Sequence, residues 1–131
     1  MTIDKEILDG LSELAVGSPR LRMNLDMRNS KDDNSQRNFN ALEPGTIIPI
    51  HRHPNTSETC IIIRGALRSI FYNDNGDIEK DIILDSQRGI YGISIPQGQW
   101  HSAEALEAGT VIFEAKDGAY EPLSPEDILT L

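Results

Sequence analysis

Three histidines and one glutamate of this chain have the residue types and the spacing of a metal-ion site. The chain contains only three histidines, and one residue separates His51 from His53, which places both imidazoles on the same face of a β-strand. Glu58 follows five residues after His53, and the turn at Pro54-Asn55-Thr56 can return its carboxylate to the same centre. His101 follows a proline-glycine turn and is predicted to point inward from a later strand.

This residue set favours a divalent transition metal with room for substrate. Three imidazoles and one carboxylate suit Fe(II), Mn(II), Co(II), Ni(II) or Zn(II). In octahedral geometry they leave two adjacent positions for water or substrate, and an open position is what catalysis by a metal requires. We therefore predict one divalent metal bound by His51, His53, Glu58 and His101. The alternative is that the imidazoles are hydrogen-bonded core residues, which needs every histidine of the chain to match the pattern by accident.

The elements that must position these residues are predicted to be mainly short strands. Apolar residues at helical spacing predict one N-terminal helix over residues 3–15, and Ser124-Pro125-Glu126-Asp127 predicts a short C-terminal helix. From residue 20 the period changes to two, which predicts a first strand up to residue 28. Further β-rich runs separated by turns lie at residues 36–43, 46–52, 58–64, 66–73, 78–84, 90–95, 100–106 and 110–116. We expect a single all-β domain, a sandwich or barrel over residues 20–116 followed by a tail over residues 117–131.

The residues around the first two histidines resemble the first motif of the cupin family. That motif is a glycine, five residues, His-x-His, three or four residues, a glutamate, six residues and a glycine. Its positions are matched by Gly45, His51, His53, Glu58 and Gly65. The resemblance implies a cupin jelly roll, also called a double-stranded β-helix barrel, that binds a metal.

The second cupin motif is matched in part. Pro96, Gly98 and His101 have its spacing, whereas Gly89 stands one residue too far from the proline and Ala105 occupies the asparagine position. These two departures affect strand geometry and pocket lining, and they leave the histidine in place. The two motifs together cover residues 45–105.

Further stretches of the chain resemble a narrower group, the WbuC-type cupin-fold metalloproteins encoded among bacterial O-antigen genes. The stretches are Ser18-Pro19-Arg20-Leu21-Arg22, Gln36-Arg37, Pro49-Ile50-His51-Arg52-His53-Pro54, Gln99-Trp100-His101-Ser102 and residues 114–120. This resemblance covers nearly the whole domain and implies a connection with surface polysaccharide metabolism, but it implies no defined reaction.

A polar strand face provides the candidate substrate-binding residues. Arg20, Arg22 and Asn24 share one face of the first strand, and Gln36 and Arg37 begin the next. If this face turns into the mouth of the barrel, the arginines can bind a carboxylate or a phosphate. The alternative is a solvated strand face beside a charged loop.

Two residues of the last strand are the candidate acid or base groups. Glu114 and Lys116 share one strand face, and a surface ion pair is the alternative role for them. Cys60 lies two residues past Glu58 and is expected to face the same interior as a small buried hydrophobic residue rather than as a ligand.

The overall charge narrows the range of partners. The formal net charge of −9 repels nucleic-acid backbones and anionic lipid surfaces, so we expect neither partner and predict a small anionic molecule instead. No apolar run is long enough to span a membrane and no signal-peptide pattern is present, which predicts a cytoplasmic protein. A homodimer is left open.

These observations lead to one leading hypothesis and two alternatives. The leading hypothesis is a metal-dependent isomerase, epimerase or lyase acting on a small anionic, sugar-like substrate. In it the metal would polarise a carbonyl or hydroxyl group, and Glu114 or water on the metal would move a proton. The alternatives are an Fe(II)-dependent oxygenase and a non-catalytic sensor that binds a ligand at the metal.

Overall fold

Two antiparallel five-stranded sheets form the body of the computed structural model, which describes residues 1–131. The first sheet has the order β1 (Arg22–Asp26), β2 (Gln36–Leu42), β9 (Thr110–Lys116), β4 (Glu58–Arg64) and β7 (Gly92–Ile95). The second has the order β10 (Ile128–Leu129), β3 (Ile50–His51), β8 (Trp100–Ala105), β5 (Leu67–Tyr72) and β6 (Ile78–Leu84). A 3₁₀ turn at Ser86–Arg88 connects β6 to β7. The prediction of an all-β jelly roll is confirmed.

One helix, α1 (Lys5–Gly17), packs against the outer face of the first sheet. Asp4 caps it, because its carboxylate accepts a hydrogen bond from the backbone N–H of Ile7. The apolar face of α1 packs on an apolar patch of the sheet, forming a buried cluster of Leu8, Leu11, Ala15, Phe39, Ala41 and Val111. With 13 residues α1 is too short to span a lipid bilayer, and the structure contains no helix that could.

Strand alternation separates the two faces of the first sheet. In β4, Glu58, Cys60 and Ile62 are buried between the sheets, whereas the residues that alternate with them face outward. Between the sheets, an apolar cluster is formed by Leu42, Cys60, Ile62, Leu67, Leu84, Ala105 and Ile112. This cluster fills only part of the interior, and the remainder is a cavity.

The glycine that ends the first motif is required by a close backbone approach. Gly65 has a φ of +79°, in the left-handed region, and a Cβ atom on it would lie 2.8 Å from the Cα of Thr110. Any other residue would push apart the turn after β4 and the start of β9, which carries Glu114 and Lys116.

The C-terminal helix of the prediction is a single 3₁₀ turn over Pro125–Asp127, and the chain then joins the second sheet as β10. The reason is a contact with a distant strand. The carboxylate of Asp127 accepts a hydrogen bond from Arg52 (3.0 Å), and its backbone carbonyl accepts one from the Arg52 N–H (3.0 Å). These bonds pair the tail with the sheet, so Ile128 lies opposite His51 and not in a second helical turn.

Candidate metal centre

The three histidines converge between the two sheets. Their nearest ring nitrogens all lie within 4.8 Å of one another. His51 and His101 are directly opposite each other on β3 and β8, whereas His53 lies in the loop that follows β3. The N–H of Gly98 donates to the carbonyl of His53 (2.9 Å), which ties this loop to the turn that precedes β8.

Backbone carbonyls select the tautomer of two of the imidazoles. Nδ1 of His51 lies 2.8 Å from the carbonyl oxygen of Pro49, and Nδ1 of His101 lies 2.8 Å from that of Gln99. Because a carbonyl oxygen only accepts, both Nδ1 atoms carry a proton. The Nε2 atom of each ring therefore keeps its lone pair, which is the arrangement of a metal-ligating histidine.

Glu58 supplies a buried carboxylate to the same centre. Its Oε2 atom lies 3.5 Å from Nε2 of His101 and 3.9 Å from Nε2 of His53. It is also the only buried side-chain oxygen or nitrogen of the protein that has no hydrogen-bond partner. The orphaned carboxylate oxygen and the ring nitrogens that present lone pairs form a cluster of hydrogen-bond acceptors. A divalent cation satisfies all of them, so the residues fit a metal ion.

Burial keeps the imidazoles neutral, which is the form that binds a metal ion. Removal from water lowers the pKa of His51 to about 4, and the neighbouring His101 adds to this effect. Burial and the charge of Lys116 lower the pKa of His53 to about 3, and burial lowers the pKa of His101 as well. All three rings are therefore neutral at pH 7, as metal binding requires.

The centre opens into a cavity of about 560 Å³ between the sheets. This cavity is lined by six of the residues predicted to act on substrate: Arg20, Arg22, Asn24, Gln36, Glu114 and Lys116. Its volume is in the range of small-molecule sites. The structure thus brings the histidine cluster and the polar residues of β1 to one cavity.

Arg37 is the exception and does not line the cavity. Adjacent residues of a strand face opposite sides, so Gln36 and Arg37 cannot both point inward. Gln36 faces the cavity, where its amide donates to the carbonyl of Gly118 (2.8 Å). Arg37 lies on the other face and pairs with Asp33 (3.3 Å). We therefore remove Arg37 from the candidate substrate-binding residues.

Other residues that line the cavity were not predicted. Asn38 and Asn40 follow Gln36 at same-face spacing in β2, so the strand period alone could have identified them. Arg28, Ser69 and Tyr120 line it too. Arg28 continues the same-face spacing of Arg20, Arg22 and Asn24, so the strand period could have identified it as well. The Arg28 guanidinium lies 5.8 Å from the ring centre of Tyr120 and pairs with Asp26 (2.8 Å).

Glu114 is held inside the cavity wall beside the metal centre. Its Oε1 accepts a hydrogen bond from Nδ2 of Asn40 (2.7 Å). Burial, together with the nearby charge of Glu58, raises the pKa of Glu114 to about 8. Lys116 lies two residues further on the same strand face, opposite Glu58 in the register, and it forms no ion pair. The two residues are therefore not a surface ion pair.

Cys60 faces the same interior. Its side chain is buried, and burial together with the charge of Glu114 raises the pKa of the thiol well above its usual value. A protonated thiol is a poor metal ligand, and Cys60 is not part of the histidine cluster. It packs as a small apolar residue, as expected.

Arg52 and Trp100, which are adjacent in sequence to the histidines, connect the strands that carry the ligands to the C-terminal tail. The guanidinium of Arg52, between His51 and His53, lies 4.5 Å from the ring centre of Trp100 and donates to Asp127 (3.0 Å). Through these contacts the C-terminal tail holds β3 and β8 from the side opposite the cavity.

Comparison with known proteins identifies one matching family. A family model described as "Domain of unknown function (DUF6016)" matches residues 3–84. No curated protein matches the chain.

Several solved structures share the architecture. KdgF from Halomonas sp. superposes with a TM-score of 0.62 at 13% identity, covering 79% of this chain and 84% of that one. Oxalate oxidase in complex with glycolate has a TM-score of 0.63 at 14% identity, covering 79% of this chain and 54% of that one. The capsular polysaccharide assembling protein CapF from Staphylococcus aureus has a TM-score of 0.60 at 20% identity, covering 80% and 28%. The chain thus spans about half of oxalate oxidase and about a quarter of CapF. The shared fold is the cupin jelly roll.

Proposed function

Since the chain belongs to the family described as "Domain of unknown function (DUF6016)", whose description assigns no activity, we propose from the site itself that the protein is a metal-dependent enzyme. The proposed reaction is of the isomerase, epimerase or lyase type. The proposed substrate is a small anionic, sugar-like molecule, and the metal ligands are His51, His53, Glu58 and His101.

The observation that carries this proposal is the orphaned oxygen of Glu58 at the centre of the histidine cluster. Leaving a buried polar atom without a partner costs roughly 1–3 kcal/mol. A stable fold tolerates such a cost where function requires the group. When bound, a divalent ion supplies Lewis-acid polarisation of a substrate carbonyl or hydroxyl oxygen.

Proton transfer is assigned to Glu114. Asn40 holds one of its carboxylate oxygens at 2.7 Å, which fixes the orientation of the group toward the cavity. The other oxygen is the proposed site that receives or delivers a proton on the substrate. Lys116 lines the cavity beside it without a carboxylate partner and can bind a substrate oxygen that carries negative charge.

The cavity wall supports the substrate class. Asn24, Gln36, Asn38 and Asn40 give it a series of amides, which can donate to and accept from the hydroxyl groups of a sugar. Arg20 and Arg22 add positive charge in a chain that is acidic overall. The link with surface polysaccharides is supported by the sequence resemblance to WbuC-type proteins, and one fold neighbour is named as a capsular polysaccharide assembling protein.

The test combines metal analysis with an exchange assay. Protein purified without added metal is analysed for bound elements, and the loaded protein is then incubated with sugar acids and nucleotide sugars in D2O. NMR should detect solvent deuterium incorporated into one of these compounds. We expect Glu114→Gln to slow this exchange by about 100-fold or more without changing metal content. Glu79→Gln, at an exposed position of β6, is the matched control.

Other outcomes of the same assay replace the proposal. Oxygen uptake by the Fe(II)-loaded protein without deuterium exchange identifies an oxygenase. Tight binding of one compound without exchange, uptake or product identifies a sensor. Absence of bound metal at pH 7, even after loading, removes the basis of the proposal.

A further inference from the structure

Two arginines of this protein form no ion pair with a carboxylate. Six of its eight arginines form ion pairs with carboxylates, namely Arg28, Arg37, Arg52, Arg64, Arg68 and Arg88. The remaining two are Arg20 and Arg22, and both line the cavity. Since the chain has 21 acidic residues against 12 basic ones, a shortage of carboxylates is not the reason. Arg20 is exposed and Arg22 is half-buried, and no carboxylate of the protein pairs with either.

The backbone between these arginines is strained. Leu21 has a φ of 55° and is the only residue other than glycine with a positive φ. Hydrogen bonds fix this conformation on both sides: the N–H of Leu21 donates to Ser18 (3.0 Å), and its carbonyl accepts from the N–H of Glu43 (2.9 Å). The hydroxyl of Thr46 donates to the carbonyl of Arg20 (2.6 Å). Strain that neighbouring contacts hold in place is common at ligand sites.

The arginines lie far along the sheet from the metal centre. Glu58 is opposite Lys116, and Lys116 is opposite Gln36 at one end of β2. Arg22 is opposite Leu42 at the other end of β2, six residues away. At about 3.3 Å per residue, the two rows of Cα atoms are roughly 20 Å apart along the strands. One small group cannot contact both ends, although a single cavity connects them.

We propose that Arg20 and Arg22 form a subsite for the phosphoryl group of an elongated substrate, such as a phosphorylated sugar whose other end reaches the metal centre. This inference rests on the proposed function and specifies its substrate. Two guanidinium groups match the charge of a phosphate dianion, and their planar N–H groups suit its oxygens. Ser18 and Asn24, which line the same cavity, add neutral polar groups.

The test uses metal-free protein, so that phosphate cannot bind at a metal ion. Inorganic phosphate is titrated into the wild type, Arg20→Gln and Arg22→Gln, and binding is followed by calorimetry and by backbone amide NMR shifts. The control is Arg88→Gln, because Arg88 pairs with Asp85 and does not line the cavity. We expect phosphate to bind the wild type and the control equally, and each cavity variant at least about tenfold more weakly. Acetate should bind the wild type more weakly than phosphate does.

Phosphate affinity unchanged in both cavity variants overturns the proposal, as does acetate binding as tight as phosphate binding. Unfolding midpoints and metal content of Arg20→Gln and Arg22→Gln should match the wild type, because neither guanidinium group pairs with a carboxylate of the protein. If the wild type binds phosphate at this subsite but binds no metal, the proposed function fails and the subsite stands. If the wild type binds metal but no phosphate, the phosphoryl subsite fails and the proposed function stands.

Discussion

The two faces of the first sheet have opposite characters. In β2, Phe39 and Ala41 face outward into an apolar cluster beneath α1, whereas Asn38 and Asn40 face inward to the cavity. A typical sandwich has the reverse arrangement, with apolar residues between the sheets and polar residues outside. The helix stabilises this arrangement, because it buries the apolar residues of the outer face away from water. The inner face is then free to hold groups that would destabilise an ordinary core.

A second apolar cluster supports the same division. It lies between the sheets and includes Leu42, Leu67 and Ile112, which also form part of the cavity wall. The metal centre and Glu114 lie in the remaining part of the interior. We infer that the two apolar clusters provide the stability of the fold and that the polar side chains lining the cavity provide the chemistry. Substitutions in the outer cluster should therefore leave metal binding unchanged, and substitutions of the polar side chains should leave stability unchanged.

Removal of a histidine should have the largest effect on the inner face. His51→Ala and His101→Ala should each lower bound metal sharply, because each deletes one of four ligands, and the double variant should retain almost none. The circular dichroism spectrum should stay that of a β-protein, since the apolar clusters hold the fold. Bound metal is measured by elemental analysis. Cys60→Ala, which removes a cavity residue that is not a ligand, is the control; full metal content in the double variant would contradict the site.

On the outer face, the largest effect should come from Phe39. Its ring packs against Phe113 with centroids 4.9 Å apart and lies in the cluster beneath α1. Phe39→Ala should lower the free energy of unfolding by about 3–5 kcal/mol, and urea denaturation measures this change. The metal content should be unchanged.

Asn38→Ala tests the neighbouring inward position of the same strand. Its side chain has no hydrogen-bond partner within the protein, so its removal should change stability by less than about 0.5 kcal/mol. The division between the two faces is wrong if Asn38→Ala proves as destabilising as Phe39→Ala.

The sequence predicts the strands and the histidine cluster better than the orientation of single side chains and the structure of the C-terminal tail. Nine of the ten strands and the convergence of the histidines follow from local period and motif spacing, although the run predicted at residues 46–52 is a strand only over Ile50–His51. Arg37 does not face the cavity, because grouping it with Gln36 at the start of one strand disregards the alternation that points adjacent side chains to opposite faces. The C-terminal helix became a 3₁₀ turn because of Arg52, a residue 75 positions away from Asp127. Contacts at that separation leave no trace in a local pattern. The role of each cavity residue stays a prediction.

Acid should destabilise the metal-free protein through the buried histidines. Their pKa values are lowered in the folded state, to about 4 for His51 and about 3 for His53, from 6.5. The unfolded chain therefore takes up protons first as pH falls. This contribution to stability is complete above pH 6.5 and is lost as pH falls toward the folded-state values.

Glu114 opposes this trend within the same cluster. Its pKa is raised from 4.5 to about 8, so its contribution is complete below pH 4.5 and is lost as pH rises through about 8. Three histidines outweigh one carboxyl group, and Glu114→Gln removes the opposing effect. The other charged groups near the histidines are Glu58, Lys116 and Asp127. As the pH is lowered from 7 to about 5, the urea midpoint of metal-free Glu114→Gln should decrease. A midpoint that stays constant or increases over this range would show that the imidazoles are not buried as described.

The smallest expected effect concerns the tail that supports the ligand strands. Asp127→Asn keeps the size of the side chain but removes the charge that holds Arg52 between two of the ligands. The strand β10 should remain paired, because the backbone carbonyl of Asp127 still accepts from Arg52. We expect metal affinity to fall by less than the roughly tenfold that loss of a direct partner of a ligand causes. Competition with a chelator measures the affinity, and the Co(II) absorption spectrum reports whether the ligand geometry has changed. Asp81→Asn, which removes a partner of Arg68 on the second sheet, is the matched control and should change neither readout. An equal loss in both variants would mean that the tail acts on general stability and not on the metal centre.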